Sequence, residues 1–186
     1  MTTTATLLTA ALGTALCALA GTGASAQSAA PEKPITIKLG AFFPTGSRLH
    51  DGVSDTWFSA GAEYALAQKP AMAASPISLL GYVDYAGINK HSRNVSYVGI
   101  GPGIHYGLAA PGSSTLIPYV GAGIGAYFLH GSGLGTGSSN KTNLGYRLNA
   151  GVELNHAYVF EVNYTDANSL SGIRFSGFNI QLGAKF

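Results

Sequence analysis

The chain has 186 residues, of which 26 are glycine, a charged fraction of only 10% and a formal net charge of +2. That length bounds it to one domain, and so small and scattered a charge argues against a nucleic-acid partner. Past the N-terminal leader no stretch stays apolar for the ~20 residues that a membrane helix needs, so apolar content must be distributed by alternation.

Residues 1–26 read as a secretory signal peptide. Leu7 to Ala20 is apolar, and Ala24-Ser25-Ala26 is a small-x-small cleavage site before Gln27. The segment from Met1 to Thr6 lacks the usual Lys or Arg. The alternative, a single membrane anchor, would need a longer apolar run. Cys17 follows Leu16 rather than a small residue, so lipid acylation is not expected. Cleavage after Ala26 removes this lone cysteine and leaves no disulfide or thiol chemistry. Residues 27–34 form a short lead into the domain at 35–186.

From Ile35 onward, apolar-alternating segments are separated by turn chemistry, which predicts eight strands at roughly 35–44, 55–66, 77–87, 94–108, 116–129, 142–154, 157–165 and 173–186. These lengths match or exceed the ~9–11 residues of a tilted membrane strand. In the first, Ile35, Ile37, Leu39, Ala41 and Phe43 oppose Thr36, Lys38, Gly40 and Phe42. In the fourth and fifth, Val98 to Leu108 oppose Gly99, Gly101, Gly103, His105 and Gly107, and Val120 to Phe128 oppose Gly121, Gly123, Gly125 and Tyr127. Such a period puts each glycine on one face, as room in a lumen rather than a nucleotide loop. The sixth opposes Leu144, Tyr146 and Leu148 to Gly145, Arg147 and Asn149, and the seventh opposes Tyr158, Phe160 and Val162 to Val159, Glu161 and Asn163. In the last, Phe178, Ile180, Leu182, Ala184 and Phe186 face one way and Asn179, Gln181, Gly183 and Lys185 the other. A strand that ends on Phe makes little sense at the edge of a soluble sheet. It suits one that closes a barrel against lipid.

The polar face carries Gly, Asn and Ser with about one charge per strand. A soluble lipocalin-like barrel would carry many Lys and Glu outside, so it is the alternative rather than the expectation. With a periplasmic N-terminus, Phe43, Phe58, Tyr85, Phe128, Tyr164 and Phe178 band near the outer membrane interface. Tyr64, Tyr106, Tyr158 and Phe186 band near the inner one, giving two aromatic girdles. The outer connections 45–54, 87–93, 130–141 and 166–172 are rich in Gly, Ser, Asn and charge. Asn155-His156 is a hairpin-sized inner turn, while the 67–76 connection is long for that side.

Ala41-Phe42-Phe43-Pro44, the Gly-rich strand from Pro118 to Gly125, and the strand Phe178–Phe186 resemble those of the OmpA/OmpW-like outer-membrane β-barrel family, over the whole mature chain. The resemblance implies an eight-stranded antiparallel up-and-down transmembrane barrel, the smallest even strand number such barrels use. It also implies insertion by the outer-membrane assembly machinery, reading Phe178, Ile180, Leu182 and Phe186, with no appended peptidoglycan-binding domain.

Seven charges are expected in the lumen: Lys38, Glu63, Asp84, Arg147, Glu153, Glu161 and Lys185. Unpaired charges there are costly, so pairing is expected. Strand adjacency suggests two clusters, Lys38 with Glu63 and Asp84, and Arg147 with Glu153, Glu161 and Lys185. The plainest role is a salt-bridged plug; a narrow ion path is the alternative. Phe42, Trp57, Leu80, Tyr82 and Tyr127 could line an apolar pocket for a transported molecule. A lipid-modifying enzyme would need a Ser–His–carboxylate set borne on strands. His91-Ser92 and His130-Gly131-Ser132 instead fall in predicted loops. Five scattered His offer no metal-ligand spacing, and no cofactor is expected. The function expected is a monomeric structural or surface-binding barrel without catalysis. Its expected partners are outer-membrane lipid and lipopolysaccharide, the assembly machinery, and a surface ligand at the outer loops.

Overall fold

The computed structural model describes residues 33–46, 49, 53–67, 77–90, 92–108, 115–133, 138–170 and 172–186. The signal peptide, most of the lead, His91 and most of the 67–76 connection lie outside the described residues. Eight strands follow in order: β1 (Ile35–Pro44), β2 (Trp57–Ala67), β3 (Ile77–Lys90), β4 (Arg93–Gly107), β5 (Leu116–Ser132), β6 (Ser139–Leu154), β7 (Tyr158–Leu170) and β8 (Ile173–Lys185). Each pairs antiparallel with its sequence neighbour, and β1 pairs with β8 to close the barrel. The closing ladder runs from Thr36↔Lys185 to Pro44↔Gly177. It is extended by Phe186 N–H donating to Ile35 O at 2.8 Å and Ile35 N–H donating to Phe186 O at 3.2 Å. Closure leaves no unpaired edge, the condition for a sheet to sit in hydrocarbon.

The period-two alternation sorts the side chains as predicted. Leu144, Ile124 and Leu182 point outward and are 81%, 69% and 67% exposed. A soluble barrel would not carry a continuous band of such residues, so the lipocalin-like alternative fails. Phe43, Phe58, Tyr106, Phe128, Tyr158, Phe178 and Phe186 also point outward and are exposed, with Tyr64, Tyr85 and Tyr164 half-buried beside them. At one rim Phe58 packs against Tyr85 with ring centroids 6.4 Å apart, and Tyr164 against Phe178 at 5.2 Å. Tyr146, not counted in the predicted girdle, joins that row 6.3 Å from Tyr164.

Pro44, Trp57, Lys90 and Ser132 lie at one end of the barrel, called upper here; Ile35 and the Asn155–His156 turn lie at the lower end. At the upper end several strands outrun their predicted limits: β3 reaches Lys90, β5 reaches Ser132, β6 starts at Ser139 and β7 reaches Leu170. Apolar alternation stops where the outward face leaves the apolar band, but the backbone ladder continues, as in Lys90↔Arg93 and Gly131↔Ser139. At the lower end the β6–β7 connection is tight. Asn155 and His156 have φ of 51° and 53°, and Ala157 N–H donates to Leu154 O at 3.0 Å. Two successive positive φ angles define the type I′ turn that matches strand twist.

Backbone approach dictates several glycines, most tightly Gly40 and Gly101. A Cβ at Gly40 would lie 1.9 Å from Ile180 O, and one at Gly101 would lie 2.0 Å from Ile124 O. A barrel of eight strands curves tightly, and at these crossings the neighbouring backbone occupies the side-chain position.

Candidate functional site

The lumen is filled in two layers. In the upper layer Phe42 packs on Trp57 and Tyr97 with ring centroids 5.3 and 5.5 Å away, Trp57 on Phe175 at 6.3 Å, and Tyr97 on Tyr127 at 5.9 Å. Val95, Leu129, Ala167 and Leu170 complete this cluster. Leu49 and Val53, from the connection between β1 and β2, are buried in it from above. Val53 N–H donates to Leu49 O at 3.0 Å and Leu49 N–H to Gly46 O at 2.9 Å, and Trp57 Nε1 donates to Ser54 O at 3.0 Å. Among the described residues, Phe42, Trp57 and Tyr127, expected to line an apolar pocket, are instead buried in this cluster, linked through Tyr97.

The lower layer is ionic. Lys38 Nζ on β1 donates to Glu63 Oε1 at 2.8 Å and to Glu161 Oε1 at 2.7 Å, bridging β2 and β7. Arg147 on β6 crosses the lumen, donating from Nη1 to Asp84 Oδ2 at 3.0 Å and from Nη2 to Glu63 Oε1. Its Cζ lies 4.0 Å from the Tyr82 ring centroid, and Tyr82 in turn meets Tyr127 hydroxyl to hydroxyl at 3.3 Å. Glu161 Oε2 accepts from Tyr119 OH at 2.8 Å and Asn149 Nδ2 at 2.9 Å. Asn163, Asn179 and Gln181 extend the network to Tyr97 and Ser59. Lys38, Asp84, Arg147 and Glu161 are all at most 2% exposed. Removing water strengthens each contact but also makes any missing one expensive.

The geometry corrects the expected grouping. Lys38, Glu63, Asp84, Arg147 and Glu161 form one network rather than two clusters, since the lumen is narrow enough for Arg147 and Lys38 to span it. Glu153 and Lys185 are separate from it. They pair with each other at 2.6 Å near the lower mouth, where His156 Nδ1 meets Glu153 Oε1 at 2.9 Å. His105, expected on the lumen face as a neutral neighbour of the charges, stacks on Tyr119 at 4.6 Å and its Nε2 contacts Asn149 Nδ2 at 2.8 Å. Its lumen-facing parity on β4 was the available signal. Leu49 and Val53 had none, because they follow no strand period.

Glu63, His105 and Glu161 offer three ligand atoms within 4.8 Å of one another, a set the scattered sequence positions did not suggest. The carboxylate oxygens already accept the Lys38 ammonium and the Arg147 guanidinium, which take the place a metal cation would fill. At the upper end His130 and Ser132 lie on β5 itself rather than in a loop. His130 Nδ1 meets Asn140 Oδ1 at 2.7 Å, and the Ser132 hydroxyl donates to Asn94 O at 3.5 Å. An amide replaces the carboxylate that would orient a catalytic His, and the hydroxyl is engaged by a carbonyl.

Several solved structures share the fold. Neisserial surface protein A aligns with TM-score 0.64 at 14% identity, over 81% of this chain and 94% of that one. The outer membrane enzyme PagL aligns with TM-score 0.56 at 15% identity, over 81% and 98%. The N-terminal β-barrel domain of Pseudomonas aeruginosa OprF aligns with TM-score 0.51 at 12% identity, over 83% and 98%. No curated protein matches in sequence. The family model described as "Outer membrane protein beta-barrel domain" matches residues 14–186. With a closed eight-stranded barrel, an apolar outward band and a polar lumen already in place, the chain belongs to that outer-membrane β-barrel family.

Proposed function

We propose that this protein is a sealed outer-membrane barrel that presents its upper hairpins outside the cell, in a structural or surface-binding role without catalysis. The observation that carries this reading is the filled lumen, with aromatic rings above and ion pairs below. A barrel with no free interior has only its lipid-facing wall and its two rims to work with. The long hairpins β3–β4 and β5–β6 belong outside, and the Asn155–His156 turn belongs in the periplasm, where barrel turns are short. The wall meets outer-membrane lipid and lipopolysaccharide, and the protein works as a monomer. Phe178, Ile180, Leu182 and Phe186 on β8 serve as the assembly signal after export and signal-peptide cleavage.

Orientation and display are tested together by epitope insertion in intact cells. A tag placed between Gly133 and Ser138 becomes accessible to antibody, while one at Asn155-His156 stays hidden until the outer membrane is opened. The reverse pattern would overturn the reading.

A further inference from the structure

The outward wall is not uniformly convex. A cavity of about 460 Å³ opens on it across β3 to β6. Leu79 and Ile104 stand along one side and Ile124, Tyr146 and Leu148 along the other, each more than two-fifths exposed. Between them the outward positions are Pro102 and Ala122, two short apolar side chains, with Gly103 and Gly123 behind. The result is a trough with bulky walls and a shallow floor. Its volume falls within the ~300–1,000 Å³ range of small-molecule sites, and Tyr146 brings the lone side-chain polar atom among the outward groups named.

The trough lies over an interruption in the wall. The β4–β5 register passes from Ile100↔Ala126 to Gly103↔Gly123, omitting the positions around Pro102, which has no N–H to give. Here the ladder lacks the N–H of Pro102, and Pro102 and Ala122 give only shallow cover beside Ile124. We infer that the trough is a binding site for one acyl chain of an outer-membrane phospholipid, held in place across β4 and β5. The trough is continuous with the lipid-facing band, so the chemistry that reaches it is hydrocarbon. Elsewhere on a convex wall a chain touches protein on one side; in the trough it is contacted on three, and dispersion attraction grows with the number of close atom pairs. A second barrel would present a convex wall that cannot fill a concave floor.

Native mass spectrometry of the purified protein, with palmitoyl-oleoyl-phosphatidylethanolamine added to the micelles, tests this. Ala122→Leu fills the floor with an apolar side chain that the lipid-facing wall tolerates. Ala60→Leu makes the same change at another outward site, opposite Leu39 and Tyr85. Heat-modifiable gel migration verifies that all three proteins are folded. The expected result is one retained phospholipid on the parent protein and on Ala60→Leu, and its loss from Ala122→Leu. Equal retention by all three, no retained lipid on any, or a dimer abolished by Ala122→Leu would each overturn the assignment.

Discussion

Arg147 is the residue on which the lower layer turns. Among the described residues it alone pairs with Asp84, and it shares Glu63 with Lys38. Arg147→Met leaves a buried carboxylate without its cation, a change that typically costs about 3–5 kcal/mol. Lys185→Met breaks a pair that is 25% and 14% exposed at the mouth, and is expected to cost below about 1 kcal/mol. Urea unfolding of the two variants in the same micelles measures the difference; equal destabilisation would contradict the layered description. Glycine gives a second contrast. Gly101→Ala drives a Cβ into Ile124 O, whereas at Gly103 the nearest atoms are Leu80 Cδ1 at 3.1 Å and Ala122 O at 3.2 Å, which small shifts relieve. Gly101→Ala is expected to lose heat-modifiable migration and Gly103→Ala to keep it. A folded Gly101→Ala barrel would show that the β4–β5 crossing can open.

Among the elements, Leu49 and Val53 close the aromatic cluster from above. Leu49→Asp puts a charge into the aromatic cluster, where an unpaired ion is not tolerated, so the segment should lift. Trp57, the single tryptophan, lies beneath it and reports the event. The expected outcome is a red-shifted emission quenched by iodide while the barrel remains heat-modifiable; an unchanged spectrum would mean that the cluster is closed without Leu49. The strands were legible in the sequence because period-two alternation assigns faces such as Ile37, Leu39 and Ala41 directly. Two things were not. Strand ends such as His130–Ser132 continue after the apolar signal stops, because hydrogen bonding rather than burial extends them. Partners across the lumen, such as Arg147 with Asp84, depend on tilt, width and rotamer, none of which a strand order supplies. Gly183 and Gly61 illustrate this: a Cβ at Gly183 would lie 2.7 Å from Lys38 Cγ and one at Gly61 would lie 2.8 Å from Asp84 Oδ1, so the space for these charged side chains is set by the strands beside them.

For the whole molecule, one account links these scales. Outward apolar residues meet lipid, closure satisfies the backbone, and the lumen is packed by rings and ion pairs rather than left as an aqueous path. The interior of an eight-stranded barrel is just wide enough for side chains to fill, and here they do so from Leu49 down to the Glu153–Lys185 pair. The ionic layer then acts as a brace between opposite walls. The most direct test is single-channel recording of the refolded, heat-modifiable protein in planar bilayers. The account predicts a silent membrane for the parent protein. Discrete openings, altered by Glu161→Gln, would mean that ions pass through the network and would contradict the sealed lumen.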